Sequence, residues 1–223
     1  MEGGKDKIWD AYYRSSFVYD PRRDLVWKGV CAYLQGRYIP PDSRILDAGA
    51  GYCSFINNIK GKEKFATDVV DRLREYAAED VRAFVQSCAK LDFLGDDSLD
   101  VIFASNLLEH LTREDLFLTM GEFRRVLRPG GIVILLQPNF RYCYREYFDD
   151  YTHLQVFTDR SLPELLLGQS FEIVDVIPRF LPVNMKTTLR ITLPKIDWIV
   201  RAYLNLPFKP LARQMLVVGR KKA

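Results

Sequence analysis

A short apolar run that ends in an acid and a glycine-rich turn limits the possible folds of this chain more than any other segment. Residues 44–47 are apolar at their centre and are followed by Ala48, Gly49, Ala50 and Gly51. This pattern predicts a buried strand that enters a tight turn, because glycine adopts positive φ without steric cost and lets a ligand approach the backbone closely. We expect a helix from about 52 to 59 after the turn.

The rest of the chain alternates between predicted strands and predicted helices. Further strands are predicted at 64–67, 81–85, 99–104, 132–136, 171–177 and 215–219, and helices at 70–78, 113–127 and 158–167. Alternation of this kind indicates a parallel sheet with helices on both faces. The predicted fold class is therefore α/β with a doubly wound sheet.

A second acid, Asp68, follows the next predicted strand, 17 residues beyond Gly51. In a doubly wound sheet, ligands bind outside the carboxyl ends of the strands, where the strand order reverses. A carboxylate at that edge can accept two hydroxyl hydrogen bonds and therefore suits a ribose diol. The simpler alternative is that Asp68 caps the next helix.

Two nucleotide cofactors fit a strand, a glycine turn and a ribose-binding acid. The nicotinamide fingerprint GxGxxG requires a third glycine, where this chain has Ser54. Asp47 would also repel a pyrophosphate, whereas it suits a cation such as the amino group of a methionine moiety. These residues favour S-adenosylmethionine. A nicotinamide-dependent oxidoreductase and a non-catalytic cofactor-binding protein are the alternatives.

The pattern resembles the class I S-adenosylmethionine-dependent methyltransferases of type 11. The resemblance is carried by residues 45–51, by residues 99–106 with their continuation to Leu111, and by residues 125–131. It implies a Rossmann-like seven-stranded sheet of order 3-2-1-4-5-7-6 whose last strand is antiparallel, with S-adenosyl-L-methionine as cofactor. Cys88 stands where this family often has an acid near adenine. The implied cofactor-binding residues are Asp47, Ala48, Gly49, Ala50, Gly51, Asp68, Cys88, Ala89 and Asn106.

The loop after the fifth predicted strand, residues 141–153, would overhang the transferred methyl group. A base is needed only where the acceptor must lose a proton. His153 is the candidate base, because a histidine titrates near neutrality, and Asp149 is the candidate that orients it or binds a sugar hydroxyl. Each residue also fits a purely structural role, and we expect His110 to shape the pocket.

The acceptor is predicted from a second, narrower resemblance. Residues 137–142, 147–153 and 179–182 are similar to a set of bacterial methyltransferases that accompany surface-polysaccharide or lipid-linked sugar enzymes. The resemblance implies a small-molecule acceptor, a saccharide or lipid-linked sugar that is methylated on oxygen.

Charge divides the chain into an acidic body and a basic tail. From residue 178 onward ten Lys and Arg accompany one acid, a net charge of +9, so the remainder carries −6 within the total of +3. The segment 191–208, within an apolar excursion at 178–210, predicts either contact with an anionic membrane surface or a helix packed on the sheet edge. No basic run is interleaved with stacking aromatics, so we expect no nucleic-acid partner.

The expected organisation is an N-terminal helical lid segment at 1–42 and a cofactor-binding methyltransferase domain at 43–223. The four cysteines are scattered without a CxxC pair, so we expect neither a disulfide framework nor a metal site. The sequence shows no secretory signal and no apolar run long enough for a bilayer, so we expect a cytoplasmic location. The scattered cysteines are Cys31, Cys53, Cys88 and Cys143.

Overall fold

Seven strands form one mixed sheet in the computed structural model, which describes residues 18–182 and 196–222. The sheet order is β3-β2-β1-β4-β5-β7-β6. Strand β7 is antiparallel to both β5 and β6, and the other neighbouring pairs are parallel. The predicted order and the antiparallel last strand are confirmed. The strands are β1 (Arg44–Ala48), β2 (Glu63–Asp68), β3 (Val81–Val85), β4 (Leu99–Ser105), β5 (Leu127–Pro138), β6 (Phe171–Pro182) and β7 (Ala212–Lys221).

Helices cover both faces of the sheet, because successive residues of the buried strands point to opposite sides. Ile45 packs with the core on the side of α1 and α6, and Leu46 packs with the core on the side of α3 and α5. The helices are α1 (Arg22–Gln35), α2 (Leu73–Tyr76), α3 (Arg113–Val126), α4 (Phe140–Cys143), α5 (Ser161–Gly168) and α6 (Ile196–Leu204), with 3₁₀ turns η1 (Leu108–His110) and η2 (Tyr147–Asp149).

The predicted helix at 52–59 is wrong, and a series of turns replaces it. Cys53 has φ +57°, which a regular helix does not allow. The Asn57 side chain donates to the Tyr76 carbonyl at 2.8 Å and accepts from the Ala78 N–H at 3.0 Å. Side-chain bonds of this kind compete with helical bonds. The predicted helix at 70–78 is likewise reduced to α2 and flanking turns.

Helix α6 packs closely on α1. A Cβ atom on Gly29 of α1 would lie only 2.7 Å from both the Asp197 carbonyl oxygen and Val200 Cβ, so the contact requires a glycine. On the outer side of α6, Trp198 and Ile199 are exposed. The predicted segment 191–208 therefore has an inner side packed on the domain and an exposed outer side. Its first five residues lie outside the described residues.

The described part of the predicted N-terminal lid begins beside the glycine turn. The centroid of the Tyr19 ring lies 5.3 Å from that of Tyr52 and 4.8 Å from that of Tyr76. The following helix α1 contributes Val30 and Leu34 to the core. Residues 1–17 lie outside the described residues, so the lid stays a prediction. Within the described ranges, no helix is both long and apolar enough to cross a bilayer.

Candidate active site

The glycine turn after β1 is bonded to the end of β2. Gly49 and Ala50 both donate their backbone N–H to the Thr67 carbonyl, at 2.9 and 3.0 Å. Gly49 has φ +70°, and a Cβ atom there would lie 2.9 Å from Leu107 Cδ1 in the loop after β4. Gly51 has φ +52°. The turn therefore requires its glycines for two reasons, the positive φ and the close approach of Leu107.

Asp68 lies beside this turn, as the sequence predicted. Its Oδ2 atom accepts the Gly51 N–H at 2.9 Å, and its Oδ1 atom accepts the Val70 N–H at 3.2 Å. The carboxylate therefore joins the glycine turn to the end of β2. Asp68 is half-buried at this edge of the sheet, and a carboxylate oxygen can accept more than one hydrogen bond. Ribose binding by Asp68 stays a prediction that this position supports.

Asp47 lies beneath the turn rather than on its surface, with only 3% of the residue exposed. Burial strongly raises the pKa of Asp47, the Ile56 N–H lowers it and the nearby charge of Asp68 raises it, and the net pKa is about 8. A cation close to this carboxyl would favour its ionised form. The predicted contact with a methionine amino group stays a prediction.

The other predicted cofactor residues occupy different environments. Cys88 is buried in an apolar cluster, where burial raises the pKa of its thiol far above the usual range. Ala89 is half-buried, and its N–H donates to Ser87 Oγ at 3.2 Å. Asn106 is exposed at the end of β4 with φ +49°, and its Oδ1 atom accepts from Gln214 Nε2 at 2.7 Å. Cys88 therefore has a packing role in the structure, and its contact with adenine stays a prediction.

The two histidines meet beyond the carboxyl ends of β4 and β5. The His110 ring after β4 and the His153 ring in the loop after β5 have centroids 5.0 Å apart. His110 Nδ1 lies 3.2 Å from the Thr152 carbonyl oxygen, and His153 Nδ1 lies 2.6 Å from the Tyr147 carbonyl oxygen. Both Nδ1 atoms therefore carry the proton, because a carbonyl oxygen only accepts. The Thr152 hydroxyl, 3.0 Å from His110 Nδ1, donates its own proton to Asp150 and so also accepts from the ring. The predicted pocket-shaping residue and the predicted base are neighbours.

The acid nearest to His153 is Asp150 rather than Asp149. Asp150 Oδ2 lies 3.9 Å from His153 Nε2. Asp149 is exposed at the end of η2, where it can meet an acceptor. A role for Asp149 in orienting His153 has no support in this geometry, and its catalytic role stays a prediction.

Glu109 is a candidate functional residue that the sequence reasoning missed. It is fully buried, and neither carboxylate oxygen has a hydrogen-bond partner. Burial, with a smaller contribution from the charge of Asp150, raises the pKa of Glu109 to about 8. The only sequence signal was an acid directly before His110. Gln137 is also fully buried, with both its side-chain oxygen and its nitrogen unpartnered.

The loop after β5 presents aromatic side chains to solvent. Tyr144, Phe148 and Tyr151 are exposed, whereas Tyr147 is buried and donates its hydroxyl to the Gln155 carbonyl at 2.5 Å. Three of the four tyrosines in the predicted acceptor loop are thus available to a ligand: Tyr142, Tyr144 and Tyr151.

Residues 46–135 match a protein family described as the methyltransferase domain. No curated protein matches the chain. The match covers the glycine turn, Asp68 and the strand that precedes the histidine cluster. The predicted resemblance to methyltransferases is therefore confirmed for this part of the chain.

Solved structures share the fold. A SAM-dependent methyltransferase from Archaeoglobus fulgidus is 20% identical with a TM-score of 0.63, covering 87% of this chain and 94% of that chain. A chain of the Haloferax volcanii complex between the Trm112 methyltransferase activator and a methyltransferase is 15% identical with a TM-score of 0.71, covering 98% and 97%. The Burkholderia thailandensis 1,6-didemethyltoxoflavin-N1-methyltransferase, solved with 1,6-didemethyltoxoflavin and S-adenosylhomocysteine, is 18% identical with a TM-score of 0.61, covering 98% and 87%. These likenesses confirm the predicted fold.

Proposed function

We propose that this protein is an S-adenosylmethionine-dependent methyltransferase that acts on a hydroxyl oxygen of a small molecule. The observation that carries the proposal is the glycine turn bonded to Asp68 through the Gly51 N–H, within a segment that matches the methyltransferase domain. The residues fit this cofactor, because the half-buried Asp68 lies beside the turn where a ribose is expected and Asp47 lies beneath the turn where a cationic amino group is expected.

Bound S-adenosylmethionine supplies an electrophilic methyl carbon on a positively charged sulfur. The protein must then align the acceptor oxygen and remove its proton. We assign proton removal to the histidine cluster, of which His153 is the member on the acceptor loop. The buried Tyr147 supports this assignment, because its carbonyl fixes the orientation of the His153 ring.

The exposed aromatic side chains of the acceptor loop favour a saccharide or a lipid-linked sugar. Aromatic rings pack on the apolar faces of such molecules, and a carboxylate such as that of Asp149 accepts sugar hydroxyls. Tyr144, Phe148 and Tyr151 offer these rings without being needed for the core.

Calorimetric titration with S-adenosylmethionine tests the cofactor. We expect binding to the wild type and none to Asp47→Ala, whereas Asp149→Ala binds the cofactor normally and loses turnover. Absence of binding to the folded wild type contradicts the proposal. Tight binding of NADH instead would favour the oxidoreductase. Cofactor binding without any methylated product, in a mass-spectrometric screen of sugar acceptors, would favour the non-catalytic alternative.

We also propose that the outer side of α6 and the turn after it contact an anionic membrane surface. Trp198, Phe208 and Leu211 are each at least 66% exposed, and Arg201 and Lys209 lie between them in the sequence. Contact of this kind requires apolar side chains that insert among the lipids and basic side chains that attract the anionic headgroups. The anionic leaflet faces the cytoplasm, where we place the protein.

Vesicle flotation tests the membrane contact. We expect the protein to float with vesicles of phosphatidylcholine and phosphatidylserine and to do so less after Trp198→Ala or Phe208→Ala. Phe117→Ala, which removes an exposed aromatic from α3 on the other face of the sheet, is the matched control. Protein that stays at the bottom of the gradient contradicts this proposal.

A further inference from the structure

The chain has only two histidines, 43 residues apart, and the fold brings both to one buried carboxylate. One ligand atom from each of Glu109, His110 and His153 lies within 4.8 Å of the others. Two imidazoles and one carboxylate are the protein ligands of several catalytic zinc sites. The same set suits other divalent transition metals, whereas Mg²⁺ and Ca²⁺ prefer oxygen ligands alone.

The tautomers of the two rings match this role. Both Nδ1 atoms donate to backbone carbonyls, that of Thr152 for His110 and that of Tyr147 for His153. In each neutral ring the ligand lone pair is therefore on Nε2. Metal-binding histidines are commonly oriented in this way, by donation from the other ring nitrogen to a carbonyl or a carboxylate.

Glu109 provides the second, independent observation. Glu109 is 0% exposed, and neither of its carboxylate oxygens has a hydrogen-bond partner. Burying a carboxylate is unfavourable unless it is paired, hydrogen-bonded or bound to a metal. An ion between Glu109 and the two rings would satisfy these oxygens.

We propose that Glu109, His110 and His153 bind one divalent transition-metal ion, with Zn²⁺ as the best fit. Zinc–nitrogen bonds of about 2.0–2.1 Å place the ligand atoms closer together than 4.8 Å, so ion binding would draw the three side chains inward. Asp150 Oδ2, 3.9 Å from His153 Nε2, adds negative charge beside the three ligands. The expectation of no metal rested on the cysteines, and this site contains none.

The role of the ion rests on the proposed methyl transfer. With the ion bound, the two histidines act on the acceptor proton through the metal, in place of direct proton removal by the His153 ring. Three protein ligands leave a coordination position for the acceptor hydroxyl, whose pKa falls on binding to the metal. The hydroxyl proton leaves to water, the oxygen forms its bond to the methyl carbon, and the carbon–sulfur bond breaks with its electron pair retained by sulfur. The ion changes no oxidation state in this step.

Titration of the tag-free, chelator-treated protein with Zn²⁺ tests the site, because an added histidine tag would bind the metal itself. We expect calorimetry to show one ion per chain, and Co²⁺ to give the visible absorption of a nitrogen–oxygen site. His110→Ala, His153→Ala and Glu109→Gln should each weaken binding at least tenfold. Glu164→Gln, which removes an exposed carboxylate from α5, should leave it unchanged.

A measurement on the wild type avoids the risk that a variant does not fold. With only two histidines, the ¹⁵N spectrum contains two pairs of imidazole signals, and Zn²⁺ should shift both pairs. Imidazole signals that stay in place, or a zinc affinity that the three ligand substitutions leave intact, would overturn the site.

Failure of this inference is distinguishable from failure of the proposed function. Zinc is titrated without S-adenosylmethionine, and S-adenosylmethionine is titrated into chelator-treated protein. Zinc binding without cofactor binding upholds the site and overturns the function, and the converse result overturns the site alone. In a turnover assay, chelation should lower kcat at least tenfold and Zn²⁺ should restore it. Undiminished turnover after chelation overturns the assigned role of the ion.

Discussion

The two parts of the proposed site differ in how their polar groups are satisfied. We call the glycine turn with Asp68 the proposed cofactor end, and the surroundings of Glu109, His110 and His153 the proposed acceptor end. At the cofactor end, the N–H groups of Gly49, Ala50 and Gly51 are bonded to Thr67 and Asp68 within 3.0 Å. At the acceptor end, Glu109 and Gln137 are fully buried with unpartnered side-chain atoms. One end is complete without a ligand, whereas the other contains groups that a ligand would complete.

This difference indicates that the two ends would bind their ligands in different ways. A turn whose bonds are already made holds its shape before the cofactor arrives, so little ordering is needed on binding. A buried polar group without a partner lowers stability by about 1–3 kcal/mol, and natural proteins retain such groups mainly where they act on something else. We therefore expect the proposed acceptor end to determine which acceptor the protein selects.

Among the variants that test this difference between the two ends, Gly49→Val is expected to have the largest effect. A β-branched residue at φ +70° is strained, and its Cβ atom would meet Leu107 at 2.9 Å. We expect the free energy of unfolding to fall by about 2–3 kcal/mol and S-adenosylmethionine binding to be lost. Denaturant unfolding and calorimetry measure the two effects.

The matched control is Gly121→Ala in α3, where an added Cβ atom meets nothing within 4 Å. This change should raise the free energy of unfolding by roughly 0.5–1 kcal/mol, because alanine is the better helix former. A Gly49→Val protein as stable as the wild type would show that the turn is not constrained.

Asp68→Asn is expected to have the next largest effect. The substitution keeps the shape but removes the charge that the Gly51 and Val70 N–H groups share. Charge-assisted hydrogen bonds contribute about 1.5–3 kcal/mol, so the affinity for S-adenosylmethionine should fall by roughly tenfold or more. Asp71→Asn, an exposed acid three residues later, is the control and should bind normally. Equal affinities for the two variants would remove Asp68 from the cofactor site.

The sequence predicted the proximity of the glycine turn and Asp68 but not that of Glu109, His110 and His153, for a physical reason. The glycine turn and Asp68 lie at strand ends, and strand ends follow from local apolar runs and glycines. The histidine cluster joins residues from two distant loops, and sequence spacing does not reveal that His110 meets His153. Glu109 was missed because a buried, unpartnered acid looks like any other acid in a sequence.

The errors in the fold have a similar origin. The helix predicted at 52–59 rested on the usual alternation of strand and helix, but Asn57 bonds to Tyr76 and Ala78 instead. Such tertiary hydrogen bonds override local propensity and cannot be read from spacing. Strand β5 begins at Leu127 rather than at 132, because its pairing with β4 continues past a bulge through the predicted turn.

A pair of isosteric changes tests the comparison with a smaller effect. Thr67→Val removes a hydroxyl that donates to the Gln86 carbonyl at 2.7 Å, so it should lower the free energy of unfolding by about 1 kcal/mol. Gln137→Leu replaces unpartnered polar atoms by apolar ones, so it should raise the free energy of unfolding by about 1–2 kcal/mol and impair turnover. Denaturant unfolding should therefore show changes in the free energy of unfolding with opposite signs for the two variants. If both changes destabilise equally, the two ends are not different in this respect.

The smallest expected effect is a fraction of a proton released when the cofactor binds. The pKa of Asp47 is raised to about 8, chiefly by burial, so this carboxyl is mostly protonated at pH 7 in the free protein. A cationic amino group nearby favours the ionised form, so binding should release a proton. Calorimetric heats at pH 7 should then depend on the ionisation enthalpy of the buffer, and this dependence should be absent in Asp47→Asn.

The same pKa sets the sign of the stability change with pH. The folded pKa lies above the unfolded value of about 3.9, so the folded state holds the extra proton between these values. The free energy of unfolding contributed by Asp47 is therefore fully present below about pH 4 and is lost as the pH rises through about 8. The groups that face it are Asp68, which raises its pKa, the Ile56 N–H, which lowers it, and the neutral thiols of Cys31, Cys53 and Cys88. The raised pKa of Glu109 also lowers the free energy of unfolding as the pH rises. Only the difference in this free energy between the wild type and Asp47→Asn therefore reports on the Asp47 carboxyl. A difference that does not change between pH 5 and pH 9, together with buffer-independent heats, would place the Asp47 charge outside the cofactor site.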